Sequence, residues 1–346
     1  MDRRQFLAAT AAALAASGCT HKEDKASSPF HLTECNEAQR AKRRADERST
    51  VALVHCASYD DDIFAAMKTQ AANAHLPDFK GKRVVLKPNM VEIQPGHPIT
   101  TNPAVLAAAV KLVDYLGAKE IIVAEGPGHM RDTEMLLARS GIGPMVKKLG
   151  LQFVDLNLDD IAAVQTPDSF TGLHEVWMPK TILSADAVVS VPKMKTHHWV
   201  GVTCSMKNLF GTVPGRKYGW PKNLLHVRGI PNWIIDLQHI VRPQMAVVDA
   251  VVAMEGDGPI NGTPKNTQFV AFGKDLAAVD ATCIRTMEFS LDRIPYMYMA
   301  GQVVGNTDES AIDVIGSTID AVKQPFAKPL TMIDPSYLVN ATKQSS

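Results

Sequence analysis

The chain has 346 residues, 46% of them hydrophobic and 21% charged, a globular composition long enough for one large or two moderate cores. Lysine plus arginine and aspartate plus glutamate balance at 36 each, so no global field directs the chain to nucleic acid or to an anionic membrane surface. Any preference for anions must be local.

The N-terminal stretch MDRRQFLAATAAALAASGC pairs Arg3 with Arg4, then Phe6 with Leu7, and continues into an alanine-rich run. That run is too short for a permanent membrane helix, so residues 1–18 read as an export signal. The Arg-Arg-x-Phe-Leu order resembles the twin-arginine type, which carries proteins across the membrane already folded. Ser17-Gly18-Cys19 resembles a lipoprotein cleavage site, with Cys19 lipidated, although Ala16 stands where such sites usually have Leu. The expected partners are then the twin-arginine export machinery and the membrane, reached through a lipid anchor. The expected location is the periplasm or cell envelope. Residues 19–49 are polar and charge-rich and suit a flexible tether.

No further stretch reads as transmembrane. Cys35, Cys56, Cys204 and Cys283 form no C-x-x-C pair, so the spacings of an iron–sulfur cluster or a thiolate–zinc site are absent. A Cys35–Cys56 bridge is compatible with an oxidising compartment.

From Val51 onward, short apolar runs alternate with helical segments. RVVLKP (83–88) is a β-branched run halted by proline, and PAVLAAAVKLVDYLG (103–117) is a helix opened by Pro103 and stopped by Gly117. KEIIVAEG (119–126) is a strand, DTEMLLARSG and GPMVKKLG are helical, and LQFVDL is a strand. Beyond 150, LHEVWMP alternates as a half-exposed strand and SADAVVSVP reads as a buried one. NWIIDLQHIV (232–241) is a helix, QMAVVDAVVAMEG (244–256) a long strand, TQFVAFG a strand and AAVDATCIRTMEF a helix. The pattern predicts an α/β fold: a mixed, largely parallel sheet flanked by helices, in one unit over 50–330, undivided or in two lobes with a cleft at the strand carboxyl ends, then a C-terminal tail over 331–346.

Ligands in such folds collect where strands end. Lys87-Pro88-Asn89 ends one strand, and Glu125-Gly126-Pro127-Gly128 ends the next. Lys193, Lys195 and His197 follow a third, and Glu255-Gly256-Asp257-Gly258-Pro259 a fourth. Lys87 alone is most simply a surface lysine, but Pro88 fixes the backbone that carries it and Asn89. Thr100 and Thr101 precede a helix start, where hydroxyls cap and anions bind. The Gly-rich EGPGH lacks the spacing of a phosphate loop or dinucleotide fingerprint. Glu125, leaving an apolar strand, needs a lysine or a cation.

In PKMKTHH an extended backbone puts Lys193, Lys195 and His197 on one side. Their mutual repulsion is unfavourable unless an anion or carboxylates neutralise it. SMKNLFG adds Lys207 and Asn208. This segment reads as a ligand site in preference to a solvated basic loop. Asp249, Glu255 and Asp257 could balance the lysines or ligate a hard divalent cation, and Asp280 is a helix cap or buried partner. No H-E-x-x-H, EF-hand loop or G-x-S-x-G elbow is present.

Lys-Pro-Asn (87–89), Thr-x-Asn-Pro near 100–103, Glu-Gly-Pro (125–127), PKMKTH (192–197), SMKNLFG (205–211), VVDAVVAMEGDGP (247–259) and the Asp275/Asp280 region occur in that order. Together they resemble the bacterial and archaeal family catalogued as domain of unknown function 362, over roughly 50–320. Many members carry a ferredoxin-type cysteine cluster, and this sequence has none of its own. Ala250 stands where family members often show Gly. A looser likeness, in fold and in paired Lys/His loops, is to the nickel-pincer lactate racemases. Fold likeness does not give function.

The expectation is an exported enzyme acting on a small carboxylate- or phosphate-bearing substrate. Lys87, Asn89, Thr100, Thr101, Lys193, Lys207 and Asn208 would bind it, and His197, Lys195 and Glu125 would carry the chemistry. The cofactor is not specified beyond a divalent metal at Asp249, Glu255 and Asp257. The alternative is a non-catalytic envelope lipoprotein that captures an anion or a cofactor.

Overall fold

The computed structural model describes residues 35–43, 46–128, 132–220, 222, 225, 229–329 and 332. Cys19, the export signal and the tail beyond 332 lie outside the described residues. The expected architecture is present: a ten-stranded mixed sheet, largely parallel, with helices on both faces.

The strands are β1 (Ser49–His55), β2 (Arg83–Pro88), β3 (Glu120–Glu125), β4 (Gln152–Asp155), β5 (Ile161–Gln165), β6 (Glu175–Pro179), β7 (Ala187–Val191), β8 (Lys193–His197), β9 (Gly201–Thr203), β10 (Met245–Glu255), β11 (Thr263–Gly273) and β12 (Ile312–Gly316). The main path runs β12-β1-β11-β10-β7-β2-β3-β4. Strands β10, β7, β2, β3 and β4 are parallel neighbours, and β11 runs antiparallel between β1 and β10. Strands β5 and β6 pair only with each other, which explains the half-exposed alternation of 175–179.

The helices that matter below are α1 (Ile63–Ala71), α2 (Pro103–Tyr115), α3 (Thr133–Ser140), α4 (Ile142–Lys148), α5 (Ser205–Asn208), α6 (Ile230–Val241), α7 (Leu276–Thr286) and α8 (Pro295–Val303). Asn102 caps α2 through Ala104 N at 2.9 Å, with Pro103 in the first turn, where its missing N–H costs nothing. Successive strand residues enter opposite cores. Val84, Leu86, Val189 and Val247 face α1, α2 and α4, whereas Val85, Val188, Ala246 and Val248 face α6, α7 and α8.

Three expectations change. Residues 35–43 were expected in a flexible tether, but Asn36 caps a helical turn at Glu37–Arg40 through Gln39 N, and Cys35 and Gln39 are buried against the body. Cys35 and Cys56 are free thiols buried in the cores on opposite faces of the sheet, so they form no bridge. For Asp280 the helix-cap reading gives way to its alternative, a buried partner: it lies buried within α7, and Asp275 is the cap, accepting from Ala277 N and Ala278 N.

The break at Pro192 positions the site. Strand β7 lies beside β10 at Met245 and Ala246, and after Pro192 strand β8 takes that place, opposite Asp249 and Met254. The sheet thereby continues past the carboxyl ends of its parallel neighbours and carries Lys193 and Lys195 over them.

Candidate functional site

At the carboxyl ends of β2 and β3, Lys87 Nζ donates to Glu125 Oε2 at 2.5 Å, to Asn208 Oδ1 at 2.8 Å and to Pro88 O at 2.9 Å. All three N–H groups are used. Glu125 also accepts from Met90 N at 3.1 Å and Gly126 N at 2.9 Å. Asn208 returns bonds from Nδ2 to Lys87 O and Ser190 Oγ. Burial pushes the Lys87 ammonium below its ordinary range, and the Glu125 charge opposes that shift. Glu125, expected as a catalytic base, is the anchor of this pair.

A second pair lies where β8 meets β10. Lys193 and Asp249 are register partners, and Lys193 Nζ donates to Asp249 Oδ2 at 2.5 Å, Tyr59 OH at 2.7 Å and Val252 O at 3.2 Å. Asp249 also accepts from Asn102 N at 2.8 Å, which ties the start of α2 to the sheet. The Tyr59 hydroxyl donates to Asp249 Oδ1 at 3.0 Å and accepts from Val252 N. Burial and the Asp249 charge push its pKa far above the phenol range, so Tyr59 stays protonated. No motif marks Tyr59 in the sequence. Its place just past the carboxyl end of β1 was the available signal.

Lys195 differs from both. It is fully excluded from solvent, and its Nζ donates to one acceptor, Ile99 O, at 2.7 Å. Among the described residues no carboxylate pairs with it. Burial first, and then the charges of Lys207, Lys193 and Lys87, hold it well below the lysine range, against the pull of Glu125. Its cross-strand partner is Thr203, whose Oγ1 is buried with no hydrogen-bond partner among the described residues. Asn89 Oδ1 is likewise buried and unpartnered.

Lys207 stands on α5, half-buried, with Nζ 4.0 Å from the centroid of the Phe210 ring and no hydrogen bond or ion pair to a described residue. Burial, with the Lys87 charge behind it, pushes its pKa down to about 7, while Glu125 opposes. The turn that carries Lys207 is pinned by Asp280, which accepts from Ser205 N at 2.7 Å, Met206 N at 3.1 Å and the Ser205 hydroxyl. Burial raises Asp280 to about 6 against those bonds.

His197 Nδ1 accepts from Trp199 N at 3.1 Å, which puts the proton of the neutral ring on Nε2, and the ring stacks on His198 at 5.1 Å. Thr101 is a clasp: its Oγ1 donates to Val191 O at 2.7 Å and accepts from Asn89 N at 2.9 Å. Thr100 donates to Glu92 O and, with Tyr59, Arg139 and Lys193, lines a cavity of about 340 Å³.

The proposed metal ligands do not converge. Asp249 is taken by Lys193, Glu255 Oε2 accepts from Lys265 Nζ at 3.0 Å and Ala327 N at 2.8 Å, and Asp257 is exposed. Among the described residues no three or more His, Cys, Asp and Glu side chains form a group able to hold a metal ion.

Two contributors were not among the expected site residues. Lys222 is buried, donates to Gly126 O at 2.7 Å and is pushed down to about 7 by burial. Gly211 packs directly on the Lys87–Glu125 pair: an added Cβ would overlap Glu125 Oε1 and the end of Lys87.

Among proteins of known sequence, the chain is 28% identical over 224 residues to the thylakoid-associated protein sll1697 of Synechocystis sp., a match covering 63% of this chain and 66% of that one. The chain therefore spans slightly less than two thirds of that relative. Among solved structures it is similar to the lactate racemase apoprotein of Thermoanaerobacterium thermosaccharolyticum, with a TM-score of 0.44 at 14% identity over 71% of this chain and 59% of that one. The match that spans more than half of the chain, residues 84–285, takes in both buried pairs and the two lysines between them, and by it the protein belongs to the family described as Domain of unknown function (DUF362).

Proposed function

We propose that the protein is an exported, membrane-anchored enzyme that acts on a small anionic substrate, carboxylate- or phosphate-bearing, at Lys195 and Lys207. One observation carries this reading. Lys87 and Lys193 each have a carboxylate, whereas Lys195, fully buried, has none among the described residues and feels the further charge of Lys207. A buried charge without a counter-charge is strongly unfavourable, and a bound anion supplies one.

In this reading Lys195 and Lys207 hold the anion and stabilise negative charge that develops on it. The Lys87–Glu125 and Lys193–Asp249 pairs fix the strand ends that aim them. His197, with its proton on Nε2, is the group that gives or takes a proton. The chemistry open to such a site is proton transfer next to a carboxylate, or hydrolysis. Balanced overall charge supports a small ligand and no nucleic acid.

Export and anchoring are supported by Arg3, Arg4 and Cys19 in the sequence. Replacing both arginines with lysine should retain the protein in the cytoplasm, and Cys19→Ser should release it from the membrane fraction.

The test of the site is calorimetric anion binding by the purified protein, set beside turnover of the anions that bind. Lys195→Met should abolish binding. His197→Ala should leave binding intact and remove turnover. The engagement of His197 Nδ1 by Trp199 N also suits a binder without catalysis, and that reading stands if every anion bound is released unchanged. Anion binding indifferent to Lys195→Met overturns both.

A further inference from the structure

Two lysines at this site have no carboxylate partner among the described residues, and their spare hydrogen-bond donors outnumber what a single carboxylate can accept. Lys195 uses one N–H, on Ile99 O, and Lys207 uses none on a described residue. Thr203 Oγ1, directly across the β8–β9 ladder from Lys195, is orphaned in the interior. The side-chain amide of Asn89 makes no hydrogen bond either, and a half-turn of that amide exchanges its orphaned oxygen for its nitrogen. Its backbone is held by Thr101, two residues beyond the Ile99 carbonyl that receives Lys195.

A carboxylate offers about four lone-pair positions on two oxygens. A phosphoryl group offers three strong acceptor oxygens and a charge of about −1.5 to −2 near neutral pH. Two lysines without a carboxylate, with a hydroxyl across the ladder from one of them and an unpartnered amide just past the end of β2, match the second.

We propose that the site takes a phosphoryl dianion, the tetrahedral end of a small phosphate compound, held by Lys195 and Lys207 and flanked by Thr203 and Asn89. This rests on the anion-site reading above. It adds the class of anion.

The neighbours make binding proton-linked. The groups facing the two lysines are Lys87 and Glu125 at the ends of β2 and β3, Lys193 on β8 and Lys222. Glu125 is committed to Lys87, and Asp249 to Lys193. With Lys207 pushed to about 7 and Lys195 also held well below the lysine range by burial, the empty site is short of protons above neutral pH. A dianion draws protons onto these amines as it binds.

The experiment is isothermal titration calorimetry of the full exported chain with sulfate, inorganic phosphate, glycerol 3-phosphate, malonate and lactate. It is run at pH 6.5 and pH 8.5, in two buffers of different protonation enthalpy. Phosphate and its ester should bind at least 10-fold more tightly than lactate or malonate, with net proton uptake at pH 8.5. Sulfate, dianionic at both pH values, should bind more weakly at pH 8.5, which isolates the lysines as the titrating groups. Lys207→Met should weaken phosphate binding at least 10-fold and reduce proton uptake. Thr203→Val, with no change of charge, should weaken binding severalfold and leave the uptake in place.

Proton uptake is read on the unaltered protein, so a variant that fails to fold does not decide the matter. Tighter binding of the ester than of inorganic phosphate assigns an organic phosphate, and equal binding assigns the free ion. Lactate or malonate binding as tightly as phosphate overturns the phosphoryl assignment and leaves the anion site standing. The absence of any anion binding overturns both.

Discussion

Lys87 Nζ lies 2.5 Å from Glu125 Oε2 at the carboxyl ends of two adjacent parallel strands, and both side chains are excluded from solvent. Taking both charges out of water is costly, and the pair persists because Asn208, Pro88 O, Met90 N and Gly126 N complete the hydrogen bonds around it. It is the rigid reference from which the less satisfied Lys195 and Lys207 are positioned.

Glu125→Gln leaves the Lys87 ammonium buried without a counter-charge. Loss of one partner of a buried pair costs about 3–5 kcal/mol, so urea unfolding should show a decrease of that size. The double change Lys87→Met with Glu125→Leu should restore much of the loss, because it removes both desolvated charges together.

Gly211 is required by space. A methyl group there meets the Glu125 carboxylate and the end of Lys87, neither of which has room to retreat. Gly211→Ala should lower stability by about 1–3 kcal/mol, the usual range for overpacking, and should weaken anion binding by displacing the pair. Thermal unfolding and calorimetry read the two effects separately.

Lys207 should make the ligand-free protein more stable at high pH. Its folded pKa is about 7 against an ordinary 10.5, so between those values the unfolded chain binds more protons and stability falls as pH falls. Lys207→Met should flatten part of that slope between pH 7 and 10.5. Lys222, shifted to about 7 as well, should keep the remainder. Chemical denaturation across this range is the measurement.

Asp280 acts in a different window and with the opposite sign. Its folded pKa is about 6 against 3.8, so its contribution is complete below pH 3.8 and is lost as pH rises through 6. Asp280→Asn should remove the slope between pH 4 and 6. It also deprives Met206 N of a carboxylate oxygen, a loss of about 1–3 kcal/mol that should loosen the turn carrying Lys207. An unchanged pH dependence in this variant would count against a titrating Asp280.

Much of the fold was legible in the residues. The β-branched runs at 83–88, 119–126 and 187–191 and the proline-opened helix at 103 each contain their own local instruction, since period and capping act within a few residues. The early start of the body at Cys35 was not legible, because a short charged helix packs by contacts made far along the chain, such as Arg43 with Asn306. Glu255 and Asp257 looked like site carboxylates by their spacing. Lys265, in the adjoining strand, takes the first, and solvent takes the second.

The sequence by itself determined that four strand ends carry polar residues beside glycine or proline, and that lysines gather after the buried strand at 187–191. Which of those lysines are neutralised was decided by tertiary structure alone. The replacement of β7 by β8 beside β10 sets Lys193 against Asp249, and the β2–β3 pairing sets Lys87 against Glu125, while Lys195 and Lys207 meet no carboxylate among the described residues. Charge interaction falls with distance and rises with exclusion of water, and neither quantity exists until the strands are in register.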